Sequence, residues 1–444
     1  MGQVSYAYRQ VPGGLCLTGF SGEAPKQLTL PALIDGQPVL EIGSYAFFAN
    51  GQELEEIRLP EGIRVVHDYA FAICIGLKRL VLSESVEYLG NAVLLGSRNV
   101  RHLHLPAAVR HMGTIEEWEG QISAAAENPV FVSDDLGLYE RDGREMTLRW
   151  ISPHDRLSHY RILPGTTRVL KGAMTDNRHL TRLHLPASLV HVPDGALSNG
   201  GLAMETYTGL RRVTVDPDNP VLRVEGDFLL ERRQGRDRLL KYFGSAEAVS
   251  VPEGVFEIAA QAFYKSPALR VSLPASLERI CRGAFDLCYL QMLKTVEGLL
   301  TFPGADSSLY QPLIQAVESY SGAFDLSFFD ALLAEKPMSA GMGALMIRRL
   351  SGRLGLTSAA QAAFKKRLKE EASDLFAALA LEGDAASAEA LLDLDILDSQ
   401  EILAAIARLS QPDMDRVFAA ADLRFALIAR QQSRSLSEEE DFSL

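Results

Sequence analysis

Three of the nine histidines, His102, His104 and His184, have a spacing that could present imidazoles to a metal ion. His102 and His104 are two residues apart within an alternating apolar run, so both rings leave the same face of a strand. Zinc accepts such nitrogens. His184 holds the matching place in a run too far downstream to share the ion, so no metal and no cofactor are assigned. Asp216-Pro217-Asp218-Asn219 offers calcium-type oxygens but lacks the glycine and distal glutamate of a calcium loop, and reads as an Asx-stabilised turn. A phosphate-cradling glycine loop, His-Glu-x-x-His and Gly-x-Ser-x-Gly are all missing. No catalytic residue is therefore named.

A second constellation is positional. Arg79, His102, Arg182, Arg212 and Arg270 each stand three residues before the last apolar residue of a short alternating run, as do Glu56, Tyr160 and Ala248. Arg58, Lys78, Arg101, His104, His184 and Arg211 lie beside them. If the runs are neighbouring strands, these side chains form an outward ladder about 5 Å apart. Guanidinium groups pair with carboxylates in a two-pronged fork. The expected partner-binding residues are thus Arg79, His102, His104, Arg182, His184, Arg212 and Arg270. Their expected partner is a protein, in particular an acidic segment, for which the chain's own Glu438–Asp441 run is one candidate. The competing reading is a charged strand face that only keeps the protein soluble.

What positions these residues is a repeat. Ala46-Phe47, Ala70-Phe71, Ala262-Phe263 and Ala284-Phe285 recur with degenerate copies at Ala92-Val93, Ala173-Met174 and Ala196-Leu197, in steps of 22 to 24 residues. That period suits a solenoid of leucine-rich repeats. In each unit a Leu-x-Leu run alternates with polar residues, as a half-buried strand does. A proline such as Pro60, Pro106, Pro186 or Pro274 then ends the strand, because it lacks a donor and fixes φ. Ile42, Val66, Ile258 and Ile280 stand four residues before the Ala of their copies. One coil leaves two faces wet, so several must stack.

Over about residues 28 to 290 the pattern resembles the BspA-like, or treponemal-type, family of bacterial leucine-rich repeats. The phrases that carry this are Ile-Asp-Gly-Gln-Pro-Val-Leu-Glu-Ile-Gly-Ser-Tyr-Ala-Phe from Ile34 and Val-Asp-Pro-Asp-Asn-Pro from Val215. Ser83 departs from the expected proline, and Met112 to Glu127 lacks an Ala-Phe coil and is expected to be helical. The resemblance implies a non-enzymatic protein-interaction scaffold.

Asn128-Pro129-Val130 and Asn219-Pro220-Val221 each precede an expected hairpin, turning at Asp142-Gly143 and near Gln234-Gly235. Both are expected to project from the spine as ribbons. Residues 1–27 should form a capping hairpin around Pro12-Gly13-Gly14, and 28–300 the solenoid. From 301 to 431 apolar residues recur at helical spacing, and Leu381-Glu382-Gly383-Asp384 with Ala390-Leu391-Leu392 loosely resembles an ankyrin helix pair. Residues 432–444, carrying Glu438 to Asp441, should be disordered. The fold class is a β-rich leucine-rich repeat solenoid with short strands and hairpin inserts, followed by an all-α domain.

The net charge of −13 argues against nucleic acid as a partner. Residues 301–444 hold 22 acids and 13 bases, leaving 35 and 31 for the rest. No run approaches the length of a membrane helix. Cys16, Cys74, Cys281 and Cys288 show no disulfide or metal spacing, so a reducing, cytoplasmic setting is expected. Two other readings stay open: an enzyme with a pocket where solenoid and helices meet, and nucleic-acid binding through the arginine stripe.

Overall fold

The computed structural model describes residues 4–22, 25–49, 53–153, 158–175, 177, 179–198, 210–304, 307–414 and 417–441. The chain divides into two compact units, Met1–Arg232 and Arg233–Leu444.

In the first unit each coil contributes two short strands. One carries the Leu-x-Leu pattern, as in Glu56–Arg58, Arg79–Val81, His102–Leu105 and Arg182–Leu185, with Ile57, Leu80, Leu103, Leu105, Leu183 and Leu185 buried and Arg58, Arg79, His102, His104 and Arg182 turned outward. The other is only two residues long in most coils. Gln37–Ile42, Val65–Val66, Tyr88–Leu89 and His111–Met112 run parallel with Ile42, Val66, Leu89 and Met112 in register. One continuous apolar cluster runs from Leu17 to Trp150 between these walls.

The corner that closes each coil is built around the Ala-Phe pair. Phe47 and Phe71 stack with centroids 5.0 Å apart, and their backbones hydrogen-bond to the following coil, Phe47 N–H to Ala70 O at 2.8 Å. The residue before the pair takes a left-handed backbone at Tyr45, Tyr69 and Ala92, where φ is 60°, 59° and 49°. Glycine holds the same place at Gly172 and Gly195. A second left-handed residue follows at Ala49, Ile73 and Gly96. These two positive-φ residues let the chain reverse without lengthening the coil. They also correct the frame of one copy. Phe71 N–H donates to Val93 O and Tyr69 N–H to Asn91 O, so Val93-Leu94, rather than Ala92-Val93, occupies the Ala-Phe place.

At the N-terminus Ser5–Val11 pairs antiparallel with Gly14–Ser21, which joins Gln37–Ile42 in parallel. The insert Gly137–Asp142 and Glu145–Ile151 is likewise a hairpin, but it does not project. Thr147 and Leu148 pair in parallel with Arg168 and Val169, while Leu138, Leu148 and Ile151 are fully buried, so the ribbon is a stretch of coil wall. The segment around Trp118 is not helical. Its indole N–H donates to Val100 O at 2.8 Å and its ring stacks on Trp150, fixing an extended path that ends in strand Gln121–Ala124.

The second unit opens with coils of the same type. Phe263 stacks on Phe285 at 5.1 Å, with left-handed residues at Gln261, Gly283, Lys265 and Leu287. Helices follow: α1 (Tyr310–Glu318), α2 (Ser327–Glu335), α3 (Ala340–Gly352), α4 (Ser358–Glu370), α5 (Ala372–Glu382), α6 (Ala385–Asp393), α7 (Ser399–Leu409) and α8 (Phe418–Asp441). Ser339, Thr357, Asp384 and Asp398 cap their helices, and left-handed Gly383 closes α5. The last coil is covered by α1, whose Glu318 accepts Gly283 N–H at 2.8 Å and Phe285 N–H at 2.9 Å. Helix α8 is described as far as Asp441. Residues 442–444 lie outside the described residues.

One ionic contact anchors the helices. Arg349 of α3, 1% exposed, forks onto Asp330 of α2, 0% exposed, at 2.8 and 2.7 Å, and also donates to Leu354 O at 2.8 Å. Removing one partner strands a buried charge. We expect Asp330→Ala to cost about 3–5 kcal/mol in urea unfolding followed by helical circular dichroism, and Asp330→Leu with Arg349→Met to recover most of it; equal losses in both would contradict this.

Candidate functional site

The arginine row exists as register, but its members meet different surroundings. Arg79 pairs with Glu56 across strands Glu56–Arg58 and Arg79–Val81. Glu56 is buried rather than outward, and bonds both Arg79 and Arg58, the latter at 2.5 Å. Lys78 is held by Glu55 at 2.9 Å. His102 Nε2 and His104 Nδ1 share the hydroxyl of Ser123, each at 2.9 Å. Burial, with His104 beside it, lowers the pKa of His102. His184 lies on a separate sheet and bonds Thr214 Oγ1 at 3.0 Å, so the three imidazoles are not brought together. In the second unit Arg270 pairs in register with Ala248 and Met292 and lies 3.9 Å from Glu247.

The sheet of His159–Arg161, Arg182–Leu185 and Arg212–Val215 is different. His159, Arg182 and Arg212 are in register on one rung, and Arg161, His184 and Thr214 on the second rung along. Tyr160, which sequence counting placed in the row, points inward, because the last inward residue of its strand is Ile162 and not Leu163. Its hydroxyl bonds Tyr139 at 2.5 Å and Asp134 at 2.6 Å, and burial raises its pKa. His159 takes its place. Arg161, Arg182, Arg211 and Arg212 are exposed, and among the described residues no carboxylate lies within ion-pair distance of any of them.

Arg161, Arg182 and Arg212, with His159 and His184, frame a hollow of about 320 Å³ floored by Leu183, adjoining a second of about 200 Å³ that shares Arg161 and His184. Asp216, at the edge of the second, accepts Asp218 N–H at 3.0 Å in its own turn. Burial lowers the pKa of His184, and nearby Arg161 adds to this while Asp216 opposes it. Converging guanidinium groups over an open apolar floor suit a carboxylate-bearing ligand. The Asp216–Asn219 turn is structural, since Asn219 donates to Pro186 O at 2.9 Å and Leu189 O at 2.8 Å.

Residues 26–115 and 237–304 match the family model for the BspA type leucine rich repeat region, in six copies. These stretches are BspA-type leucine-rich repeats. Arg79, His102, His104 and Arg270 lie within them, whereas the Arg182–Arg212 face lies between them. Three crystal structures are similar to the chain. A leucine rich cell surface protein from Faecalibacterium prausnitzii is 16% identical, with 67% of this chain and 95% of that one covered and a TM-score of 0.35. A leucine-rich repeat protein from Eubacterium ventriosum is 12% identical, with 66% and 94% covered and a TM-score of 0.41. The pneumococcal vaccine antigen PcpA is 18% identical, with 66% and 68% covered and a TM-score of 0.33. No curated protein matches. Among the described residues, no helix is long and apolar enough to cross a membrane.

Two polar features escaped the sequence reading. One is a cluster of Cys16, Glu41 and His67 in the first unit. The other is Lys241, whose ammonium is buried in a BspA-type coil, 3.3 Å from Tyr264 O and 5.6 Å from the Tyr264 ring centroid. Neither follows a motif; each depends on which coil lies next. Burial drives the Lys241 pKa down to about 7, while the neighbouring Cys288 thiol is pushed up to about 12, mainly by burial. Folding thus weakens proton binding at Lys241, so between pH 7 and about 10.5 the unfolded chain holds more protons and stability rises with pH. We expect that rise in urea midpoints between pH 7 and 9 to flatten in Lys241→Met; an unchanged slope would show the amine to be ionised in the fold.

Proposed function

We propose that this protein is a non-enzymatic docking scaffold that receives an acidic segment of a protein partner on the sheet face of His159–Arg161, Arg182–Leu185 and Arg212–Val215. The observation that carries this reading is the contrast in pairing. Arg79 and Arg270 have carboxylates of the preceding coil at hand, whereas Arg161, Arg182 and Arg212 line one hollow with no carboxylate within ion-pair distance of them among the described residues. The BspA-type repeats support a protein-interaction role in general. The expected partner-binding set accordingly narrows to Arg182, His184 and Arg212 of the residues named from sequence, with His159 and Arg161 added. Arg79, His102, His104 and Arg270 stand outside it.

An acidic polypeptide fits this face better than a nucleic acid. Tyr160 is turned inward, so among the described residues the face presents no exposed Tyr, Phe or Trp ring on which single-stranded bases stack. Exposed ion pairs contribute roughly 0.2–1 kcal/mol each, so capture requires several to engage together and weakens as salt rises. The proposal keeps the protein in a reducing, cytoplasmic setting, supported by four cysteines that are all free thiols.

The test uses the full-length protein and a fluorescent glutamate-rich peptide read by anisotropy. Arg182→Glu with Arg212→Glu should weaken binding by about tenfold or more, while Arg79→Glu with Arg270→Glu should leave it within about twofold. Equal loss in both pairs would mean that general charge, and not this face, attracts the peptide; unchanged binding in the first pair would remove the face from consideration.

A further inference from the structure

Cys16, Glu41 and His67 come from three successive turns of the chain in the first unit. Cys16 pairs in parallel register with Glu41. His67 follows strand Val65–Val66, and its N–H donates to Ile42 O at 2.9 Å, which sets it beside Glu41 on the next coil. One thiol, one carboxylate oxygen and one imidazole nitrogen thereby lie within 4.8 Å of one another, with His67 Nε2 at 2.9 Å from Glu41 Oε2. Cys16 is fully buried at the base of the group, while Glu41 and His67 are half-buried and reach solvent.

The second unit shows what this place in the coil demands. The phrase Glu-Ile-x-x-x-Ala-Phe recurs from Glu257 as it stands from Glu41. Glu257 pairs with Arg238 on one side and Arg279 on the other, so two guanidinium groups neutralise its carboxylate, that of Arg238 from a buried position. In the first unit Cys16 stands where Arg238 does, and Val65 where Arg279 does. The cation at Glu41 is reduced to Arg9, 3.6 Å away and half-exposed. The buried guanidinium has been exchanged for a soft sulfur donor, and the space above it is kept clear: a Cβ added at Gly43 would sit 3.2 Å from Cys16 Sγ.

We propose that Cys16, Glu41 and His67 hold a zinc-class divalent ion with water at the fourth position. Zinc takes thiolate sulfur at about 2.3 Å and imidazole nitrogen and carboxylate oxygen at about 2.0–2.2 Å, and a mixed sulfur, nitrogen and oxygen set excludes calcium and magnesium. On binding, the Cys16 thiol releases its proton to solvent, and the imidazole of His67, whose Nε2–H donates to Glu41 in the absence of metal, takes the tautomer with the proton on Nδ1 so that the Nε2 lone pair meets the ion. Thiolate, carboxylate and dication then sum to zero charge, and Arg9 becomes an outer contact to the carboxylate. The ion ties the N-terminal hairpin to the two coils that follow it.

Cobalt replaces zinc in such sites and reports them by colour. Full-length, metal-free protein titrated with Co2+ should develop a thiolate-to-cobalt charge-transfer band and tetrahedral visible bands that saturate at one equivalent and are bleached by Zn2+. Cys16→Ser, which keeps size and fold, should abolish the charge-transfer band although Cys74, Cys281 and Cys288 remain. His67→Gln, which removes a direct ligand, should weaken binding by more than the roughly 10- to 100-fold that loss of an outer-shell partner costs, while keeping the band at saturation. No band in the parent protein, or an undiminished band in Cys16→Ser, would overturn the assignment.

Discussion

A coil of this protein cannot be completed from its own residues. Its corner turns on two left-handed residues, and the amide that leaves the corner, such as that of Phe47 or Phe71, finds its acceptor only on the next coil. The Phe ring inside the corner packs against the ring above it. A left-handed non-glycine residue costs about 1–2 kcal/mol, and Tyr45, Tyr69 and Gln261 each carry that cost for the neighbour's hydrogen bond and stacking. Every outward side chain therefore inherits its place from the register that this corner imposes.

This dependence explains what the sequence makes legible. The Ala-Phe spacing, the alternating strand runs, the N-terminal hairpin and the change to helices after residue 300 are local patterns, and all have their counterparts in the fold. Gly172, Gly195 and Gly283 even mark the left-handed corner, though Tyr45, Tyr69 and Gln261 conceal it elsewhere. The failures are of register. Ala92-Val93 looks like an Ala-Phe copy, yet the hydrogen bonds give that place to Val93-Leu94. Tyr160 falls in the outward row when one counts from Leu163 and inside when one counts from Ile162, since period-two alternation turns a one-residue slip into a change of face. The insert Gly137–Ile151 has the hairpin signal, but its pairing with Arg168–Val169 is long-range and leaves no local mark.

The candidate sites were legible in composition but not in pairing. Arginine recurs at one position of the strand, and this much a count can find. Whether each guanidinium is already neutralised depends on the residue one coil earlier. Arg79 meets Glu56 only because those two align, whereas Arg182 aligns with His159 and Arg212. The cluster of Cys16, Glu41 and His67 is hidden for the same reason: its members share no motif and become neighbours only through parallel pairing of three turns.

Neutralisation across coils also gives the two proposed sites a common logic. Where a charge sits in the coil wall, desolvation raises the cost of leaving it unpaired, and the chain supplies a counter-charge, as Arg238 does for Glu257. At Glu41 that supply is replaced by donors that suit a metal. On the open sheet face the cost is smaller: neighbouring like charges about 5 Å apart in water repel by less than about 1 kcal/mol per pair. A row of guanidinium groups there is tolerated without internal acids, and nothing in the repeat requires it, because the outward positions of the same strands accept serine, threonine and histidine equally well. An unneutralised cluster on the face that packing leaves free is therefore governed by what the face meets from outside, which is the physical basis for assigning the acidic partner to Arg182 and Arg212 and not to Arg79.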